Sequence, residues 1–172
     1  MSALVVVESM WGNTREVGEA IARGLGADVS VVDVSQAPST VPDAVDLLVV
    51  GGPTHAFSMS KAESRKNAVE SGARASREAT GIREWLEAMP ATDHLDVATF
   101  DTRVTKMKHL PGSAAKAAGK EVRHHHLGQL VATKSFYVED MKGPLHQGEC
   151  NRAQAWGSDL AALSHETSVH HP

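Results

Sequence analysis

The chain has 172 residues, of which 41% are hydrophobic, 22% charged and 4% aromatic. Because domains commonly run to about 100–200 residues, this length predicts one compact domain, which we place at residues 1–164. The composition excludes a disordered, collagen-like or coiled-coil chain. The net charge of −4 gives no general attraction to nucleic acid phosphates or anionic lipid, so we expect neither as a partner. Residues 165–172 are predicted to form a loose tail.

Motifs that the sequence lacks give the expectations about localisation and metal binding. No stretch approaches the roughly 18 apolar residues of a membrane span, and no basic-then-apolar signal sequence opens the chain, so we expect a cytoplasmic protein. Cys150 is the only cysteine, which excludes an internal disulfide and a Cys-x-x-Cys site. Three consecutive histidines, His124 to His126, point in different directions on any regular element, so we predict no metal site.

Apolar runs and amphipathic segments alternate along the chain. Residues 3–8 form a short run rich in valine, which predicts a strand buried on both faces. Residues 16–25 then place apolar side chains at helical spacing, and Gly26 follows where a helix is expected to end. The later predicted strands are 29–34, 45–50, 97–100 and 130–138, and the later predicted helices are 81–89, 112–124 and 152–163.

This alternation predicts a doubly wound α/β fold, in which a five-stranded parallel sheet carries helices on both faces. The segment 56–80 is polar, rich in Ser and Arg and long for a connection, so it is a candidate lid. Trp85 and Trp156 fall on apolar helix faces and are predicted to lie in the core.

The loop after the first strand has residue types suited to an anion. It reads Ser9-Met10-Trp11-Gly12-Asn13-Thr14 and leads into the first helix. Its hydroxyls, its amide and the backbone N–H groups at a helix N-terminus are donors that could cradle one phosphate. An ordinary turn that uses Ser, Asn and Thr as helix caps explains the same residues, and both interpretations stay open here. The loop lacks the lysine of a nucleoside triphosphate site.

A second loop, Gly51-Gly52-Pro53-Thr54-His55-Ala56-Phe57, ends the third strand. In the strand order 2-1-3-4-5 the third strand lies beside the first, across the switch point where open α/β sheets bind ligands. The two loops are therefore predicted to lie side by side.

These two loops and the five βα units, over residues 3–163, resemble the flavodoxin-like family, and in particular its short-chain members, which bind FMN. The resemblance implies FMN as the cofactor and requires no catalytic side chain or metal. It implies that the phosphate is held by Ser9, Met10, Trp11, Gly12, Asn13 and Thr14. It implies that the isoalloxazine ring is lined by Pro53, Thr54, His55, Ala56 and Phe57, and on its other side by Phe100, Asp101, Thr102 and Arg103.

The sequence departs from this family in three ways. His55 and Ala56 stand where flavodoxins commonly have Trp and Gly, and Tyr137 falls in the predicted fifth strand instead of the third ligand loop. Flavodoxins also tend to be acidic around the flavin, whereas here a basic rim is predicted, which should attract an acidic partner or an anionic small molecule. Its residues are Lys61, Arg65, Lys66, Arg74, Arg77, Arg103, Lys106 and Lys108.

The leading hypothesis is therefore an FMN-binding electron carrier between an NAD(P)H-dependent flavin reductase, or another redox partner, and an acceptor. We expect it to be a monomer or weak dimer. One alternative is a small FMN-dependent NAD(P)H:quinone reductase, since basic loops would suit an anionic nicotinamide cofactor. Another is an interaction module that keeps the fold without flavin.

Overall fold

Five parallel strands form one sheet in the order β2-β1-β3-β4-β5. The strands are β1 (Ala3–Val7), β2 (Ser30–Asp33), β3 (Leu47–Pro53), β4 (Thr92–Val104) and β5 (Leu127–Val138). The computed structural model describes residues 2–26, 29–74 and 79–168. All five residues of β1 are buried, as the run of valines predicts. The predicted fold class and strand order are confirmed.

Helices cover both faces of the sheet. They are α1 (Asn13–Leu25), α2 (Ala62–Glu70), α3 (Ile82–Ala88), α4 (Ala114–His124) and α5 (Glu149–Ser168). On one face, Ile21 of α1 and Trp156 of α5 belong to a buried cluster with Phe100. On the other face, Ile82 of α3 and Val122 of α4 belong to a second cluster. Trp85 lies in this second cluster and Trp156 in the first, so both predicted core positions are confirmed.

Helices α1 and α5 pack unusually closely, because glycines face each other across their contact. A Cβ atom at Gly24 would lie 2.0 Å from the Gln154 carbonyl oxygen, and one at Gly157 would lie 2.2 Å from the Ile21 carbonyl oxygen. Real Cβ atoms essentially never come so close to backbone, so neither position admits a side chain without moving a helix. The contact fixes the axis of α1, and with it the loop that leads into that helix.

Several predicted boundaries are wrong. Strand β4 runs over 13 residues instead of the predicted four, because polar residues at both ends also pair with β5 or β3. The segment 56–80 contains α2, whose Arg65 is buried, so its described part packs on the domain; residues 75–78 lie outside the described residues.

The last helix reaches Ser168, so residues 165–168 of the predicted tail are helical, and 169–172 lie outside the described residues. None of the helices found in the described ranges combines the length and apolar character needed to cross a bilayer.

Candidate functional site

The phosphate loop, residues 9–14, forms a tight turn between β1 and α1. The Ser9 Oγ atom accepts hydrogen bonds from the backbone N–H groups of Gly12 (3.1 Å) and Arg15 (3.2 Å). Gly12 has φ +99°, in the left-handed region that favours glycine, and a Cβ atom there would meet only open space. The N–H groups of Asn13 and Thr14 begin the helix, so the helix itself offers them no acceptor. The turn therefore presents donors to an open space at the positive end of α1.

The loops at this edge of the sheet are joined by hydrogen bonds. The hydroxyls of Thr14 and Thr102 lie 2.7 Å apart and are buried, which connects the start of α1 to the end of β4. The Thr54 N–H donates to the Thr102 carbonyl (2.9 Å), which connects the end of β3 to the same point. The first and second loops thus lie together at the carboxyl edge of the sheet, where the strand order places them.

The hairpin loop, residues 54–58, contains a tight turn whose two central residues are Ala56 and Phe57. His55 and Ser58 exchange both backbone hydrogen bonds, at 2.8 and 3.0 Å. Ala56 and Phe57 both have positive φ, +46° and +68°, a conformation that costs a residue with a side chain about 1–2 kcal/mol. Phe57 is held there with 44% of its surface exposed. The strain is concentrated in a loop that presents an aromatic ring to solvent, which is typical of a ligand or partner contact.

Asp101 holds the hairpin loop against α4. Its Oδ2 atom accepts from the Thr54 hydroxyl and from the Ala115 N–H, both at 3.0 Å, and the Thr54 hydroxyl also accepts from the Ala114 N–H at 2.9 Å. Arg103 donates to the carbonyls of Met107 (2.5 Å) and Leu110 (3.1 Å) and so shapes the loop after β4. Both side chains are buried, so Arg103 is not part of the predicted basic rim, and the two form no ion pair with each other in the described part of the chain.

Phe100 does not line this edge. It is fully buried on the α1 and α5 face, with its ring centroid 6.1 Å from that of Phe136 and 6.5 Å from that of Trp156. Its ring also fills the space beside Gly51, where a Cβ atom would lie 2.0 Å from it. Side chains alternate between the faces of a strand, and the strand continues past Phe100, so this residue belongs to the core.

A buried charged network lies behind the two loops. Glu8 directly follows β1, and its carboxylate accepts from the Ser60 hydroxyl and from the Ile82 N–H (2.9 Å). Arg65 donates to the Ser60 hydroxyl (3.0 Å) and to Glu84 (2.9 Å), and it is only 1% exposed. Arg65 is therefore not part of the predicted basic rim, a correction that follows from its pairing with Glu84. Arg77 lies outside the described residues, and Lys61, Lys66 and Arg74 are exposed.

Burial shifts the pKa values of two groups near the loops, Glu8 and His55. Burial raises the pKa of Glu8 above its ordinary 4.5, against the opposing hydrogen bonds from Ser60 and Ile82 and the charge of Arg65. Burial, and then the charge of Arg65, lower the pKa of His55 below its ordinary 6.5. The His55 imidazole is therefore neutral at neutral pH.

Replacing Glu8 with glutamine should change the pH dependence of stability. Because the folded pKa lies above the unfolded value of 4.5, the native protein keeps a proton that the unfolded chain loses, and stability falls as pH rises through this window. The Glu8→Gln variant lacks this loss, so its free energy of unfolding should gain on that of the wild type as pH rises above 4.5. Urea denaturation of both proteins from acidic to neutral pH measures the difference. A difference that stays constant with pH would contradict the raised pKa.

A strap, residues 139–143 between β5 and α5, crosses the phosphate loop. The Asn13 side-chain amide donates to the Lys142 carbonyl (3.1 Å), and the Lys142 ammonium lies 4.8 Å from the centre of the Trp11 ring. A Cβ atom at Gly143 would lie 2.4 Å from the Asn13 side-chain oxygen. Sequence reasoning missed the strap, because Asn13 and Lys142 are 129 positions apart and no local pattern connects them.

The histidines at the end of α4 and Cys150, the other candidate residues, contact neighbouring side chains of the fold. His124 ends α4, with its ring edge-on to that of His125, and His125 lies 3.3 Å from Glu121. The Cys150 thiol donates to Glu16, and burial raises its pKa, which favours the unreactive thiol. Among the described residues, no group of three or more His, Cys, Asp and Glu side chains could hold a metal ion.

The strand order and the ligand loops at its carboxyl edge define a flavodoxin-like α/β fold. Solved structures of flavodoxins share it over nearly their whole length. A flavodoxin from the domain Archaea is 17% identical, with 96% of this chain and 99% of that chain covered and a TM-score of 0.63. Oxidised Flavodoxin 1 from Bacillus cereus is 12% identical, with 94% and 98% covered and a TM-score of 0.62.

A short-chain flavodoxin associated with a non-canonical PDU bacterial microcompartment is 14% identical, with 95% of this chain and 99% of that chain covered and a TM-score of 0.62. No family model and no curated protein matches the sequence. The flavodoxin-like fold therefore rests on the structure.

Proposed function

We propose that this protein binds FMN between the phosphate loop and the hairpin loop and carries electrons from a reductase to an acceptor. The observation that carries the proposal is the meeting of these two loops at the end of β4, where the Thr14 and Thr102 hydroxyls lie 2.7 Å apart. The flavodoxin-like fold supports it. The phosphate would be held by Ser9, Met10, Trp11, Gly12, Asn13 and Thr14.

The phosphate end of the site fits this group. Gly12 combines a positive φ with open space where a side chain would be, and the first N–H groups of a 13-residue helix follow it. Backbone N–H groups at a helix N-terminus bind phosphate without a charged side chain in the loop itself. The Ser9 Oγ atom already fixes the turn through the N–H groups of Gly12 and Arg15, so the donors are held in place before the ligand arrives.

The ring end would be lined by Pro53, Thr54, His55, Ala56 and Phe57. Phe57 offers an exposed aromatic face for stacking on an isoalloxazine. Asp101 Oδ1 and Arg103 Nε, beside these loops, are buried without a hydrogen-bond partner in the described residues, so polar groups of a ring brought close would find partners there. Thr102 joins the two loops, while Asp101 and Arg103 hold their backbones. When bound, FMN would supply reversible uptake and release of electrons.

The surface beside the ring end suits an acidic protein partner. Residues 54–61 and 104–116 contain Lys61, Lys106, Lys108 and Lys116, all exposed, and no Asp or Glu. Phe57 and Leu110, each 44% exposed, add apolar surface, and Gly112 packs against the Phe57 backbone and so keeps the two loops together. Apolar contact surrounded by charge of one sign favours fast association with a partner of the opposite sign. We propose a reductase or acceptor whose docking face is acidic.

Electron transfer is tested with the FMN-loaded protein and NADPH. The protein alone should not oxidise NADPH in the presence of a quinone, whereas addition of a catalytic amount of a flavin reductase should start turnover. Steady turnover by the protein alone would indicate the NAD(P)H:quinone reductase instead. Folded protein that fails to take up FMN would contradict both functions.

The charge of the docking surface is tested by ionic strength. If acidic partners dock there, the rate of electron transfer from an acidic reductase should fall as salt is raised from about 10 mM to about 150 mM, because the Debye length shortens from about 30 to 8 Å. The Lys106→Gln, Lys108→Gln double variant should show a weaker salt dependence. A matched Lys120→Gln, Arg123→Gln variant on α4, where both residues are exposed, should behave as the wild type. A rate that rises with salt would contradict an acidic docking face.

A further inference from the structure

Lys142 contacts the phosphate loop at two points on either side of Gly12. Its carbonyl accepts from the Asn13 side chain at 3.1 Å, and its ammonium lies over the Trp11 ring, 4.8 Å from the ring centre, while donating to the Ser71 carbonyl at 3.0 Å. The close approach of Gly143 to Asn13 holds the strap at this position. The fold thus brings a positive charge to a loop that contains neither Lys nor Arg.

The charge of Lys142 is not neutralised by a carboxylate among the described residues. The two contacts of its ammonium are with a neutral carbonyl and an aromatic ring. Glu139 of the strap lies 2.5 Å from the His146 imidazole, and Asp140 accepts from the Met141 N–H at 2.7 Å. The nearest cation on α1, Arg15, is paired with Glu19 at 3.0 Å. The Lys142 ammonium is therefore the group at this loop that is available to an added anion.

We propose that Lys142 is a phosphate-binding residue that makes the site select phosphorylated flavin over riboflavin. The inference rests on the proposed function, since it concerns the same phosphate loop. A bound phosphate monoester carries a charge of about −1.5 to −2 at neutral pH, while the loop offers only partial charges from N–H groups and the helix dipole. The flexible lysine stem can move the ammonium from the neutral Ser71 carbonyl to the phosphate, where a charge-assisted hydrogen bond is stronger.

Binding of FMN and of riboflavin to purified apoprotein, followed by flavin fluorescence, tests the assignment. The Lys142→Met variant should bind FMN about tenfold more weakly than the wild type and bind riboflavin about as before. Lys142→Arg should keep most of the preference for FMN. Lys134 provides a matched control, because its ammonium also lies over a tryptophan ring, Trp156 at 6.0 Å, but on β5; Lys134→Met should leave both affinities unchanged. Equal weakening of both flavins by Lys142→Met would show that the strap only shapes the loop, and would overturn the assignment.

Inorganic phosphate gives a readout that needs no flavin. It should raise the melting temperature of the wild-type apoprotein and raise that of Lys142→Met less, both compared with the same ionic strength of chloride. An equal rise in the two proteins would overturn the role of Lys142. Wild-type protein that is folded and binds phosphate but neither flavin would contradict the proposed function while leaving the phosphate contact standing, so the two failures are distinguishable.

Discussion

Replacement of Gly12 with alanine is expected to weaken FMN binding by about tenfold to a hundredfold. At φ +99° a residue with a Cβ atom is strained, so the turn will relax and move the N–H groups that would bind the phosphate. Each charge-assisted hydrogen bond lost in this way is worth about 1.5–3 kcal/mol, or one to two powers of ten in affinity. The dissociation constant of the apoprotein for FMN, measured by fluorescence titration, gives the result.

Gly148 is a matched control for this substitution. It has φ +88°, open space where a Cβ atom would be, and a position directly before α5 that mirrors that of Gly12 before α1. Gly148→Ala should lower the free energy of unfolding by about as much as Gly12→Ala, about 1–2 kcal/mol, and leave FMN affinity near the wild-type value. Equal losses of affinity in both variants would mean that Gly12 acts through stability alone.

Replacement of Arg65 with alanine is expected to lower the free energy of unfolding by about 3–5 kcal/mol, because it removes one partner of a buried ionic network. Arg65 is only 1% exposed and donates to Ser60 and Glu84, and its charge also opposes the burial penalty of Glu8. Without it, the Glu8 carboxyl remains buried with less compensation, and its pKa should rise further. Urea denaturation at neutral pH measures the loss.

Two further variants separate charge from helix propensity. Lys66→Ala, at the next and exposed position of α2, should change stability by less than about 0.5 kcal/mol. If the loss comes from an uncompensated carboxylate, combining Arg65→Ala with Glu8→Gln should recover part of it. An Arg65→Ala loss as small as that of Lys66→Ala would show that the network contributes little.

Sequence reasoning found the features that depend on local pattern. The valine run of β1 and the apolar spacing of α1 predicted a buried strand followed by a helix, and the alternation of such pairs predicted the parallel sheet. The order 2-1-3-4-5 was that of a common doubly wound topology. Gly51 and Gly52, expected to end the third strand, instead lie inside β3 and pair with Phe100 and Asp101 of β4, and the Phe100 ring and the Ile82 side chain fill the space beside them. The strand order alone then brought the phosphate loop and the hairpin loop together.

Features that depend on distant contacts were not predictable in this way. Arg65 was expected on a basic rim because the segment 56–80 is polar, yet its guanidinium is buried and donates to Ser60 and Glu84. Phe100 was expected at the ligand because the family resemblance places the end of the fourth strand there, yet β4 continues past Phe100 and its ring lies in the core. The strap approaches the phosphate loop from the far end of the chain, so Lys142 carried no signal in the sequence around the loop.

The ³¹P resonance of FMN added to the apoprotein tests the central claim most directly. Free phosphate monoesters change charge with a pKa of about 6, so the resonance of free FMN moves with pH. Held by the phosphate loop and Lys142, the dianion is stabilised, and the bound resonance should be shifted from that of free FMN and stay in place between about pH 5 and 8. A bound flavin whose phosphate resonance still titrates like that of free FMN would show that the loop does not hold the phosphate, and would contradict this assignment of the site.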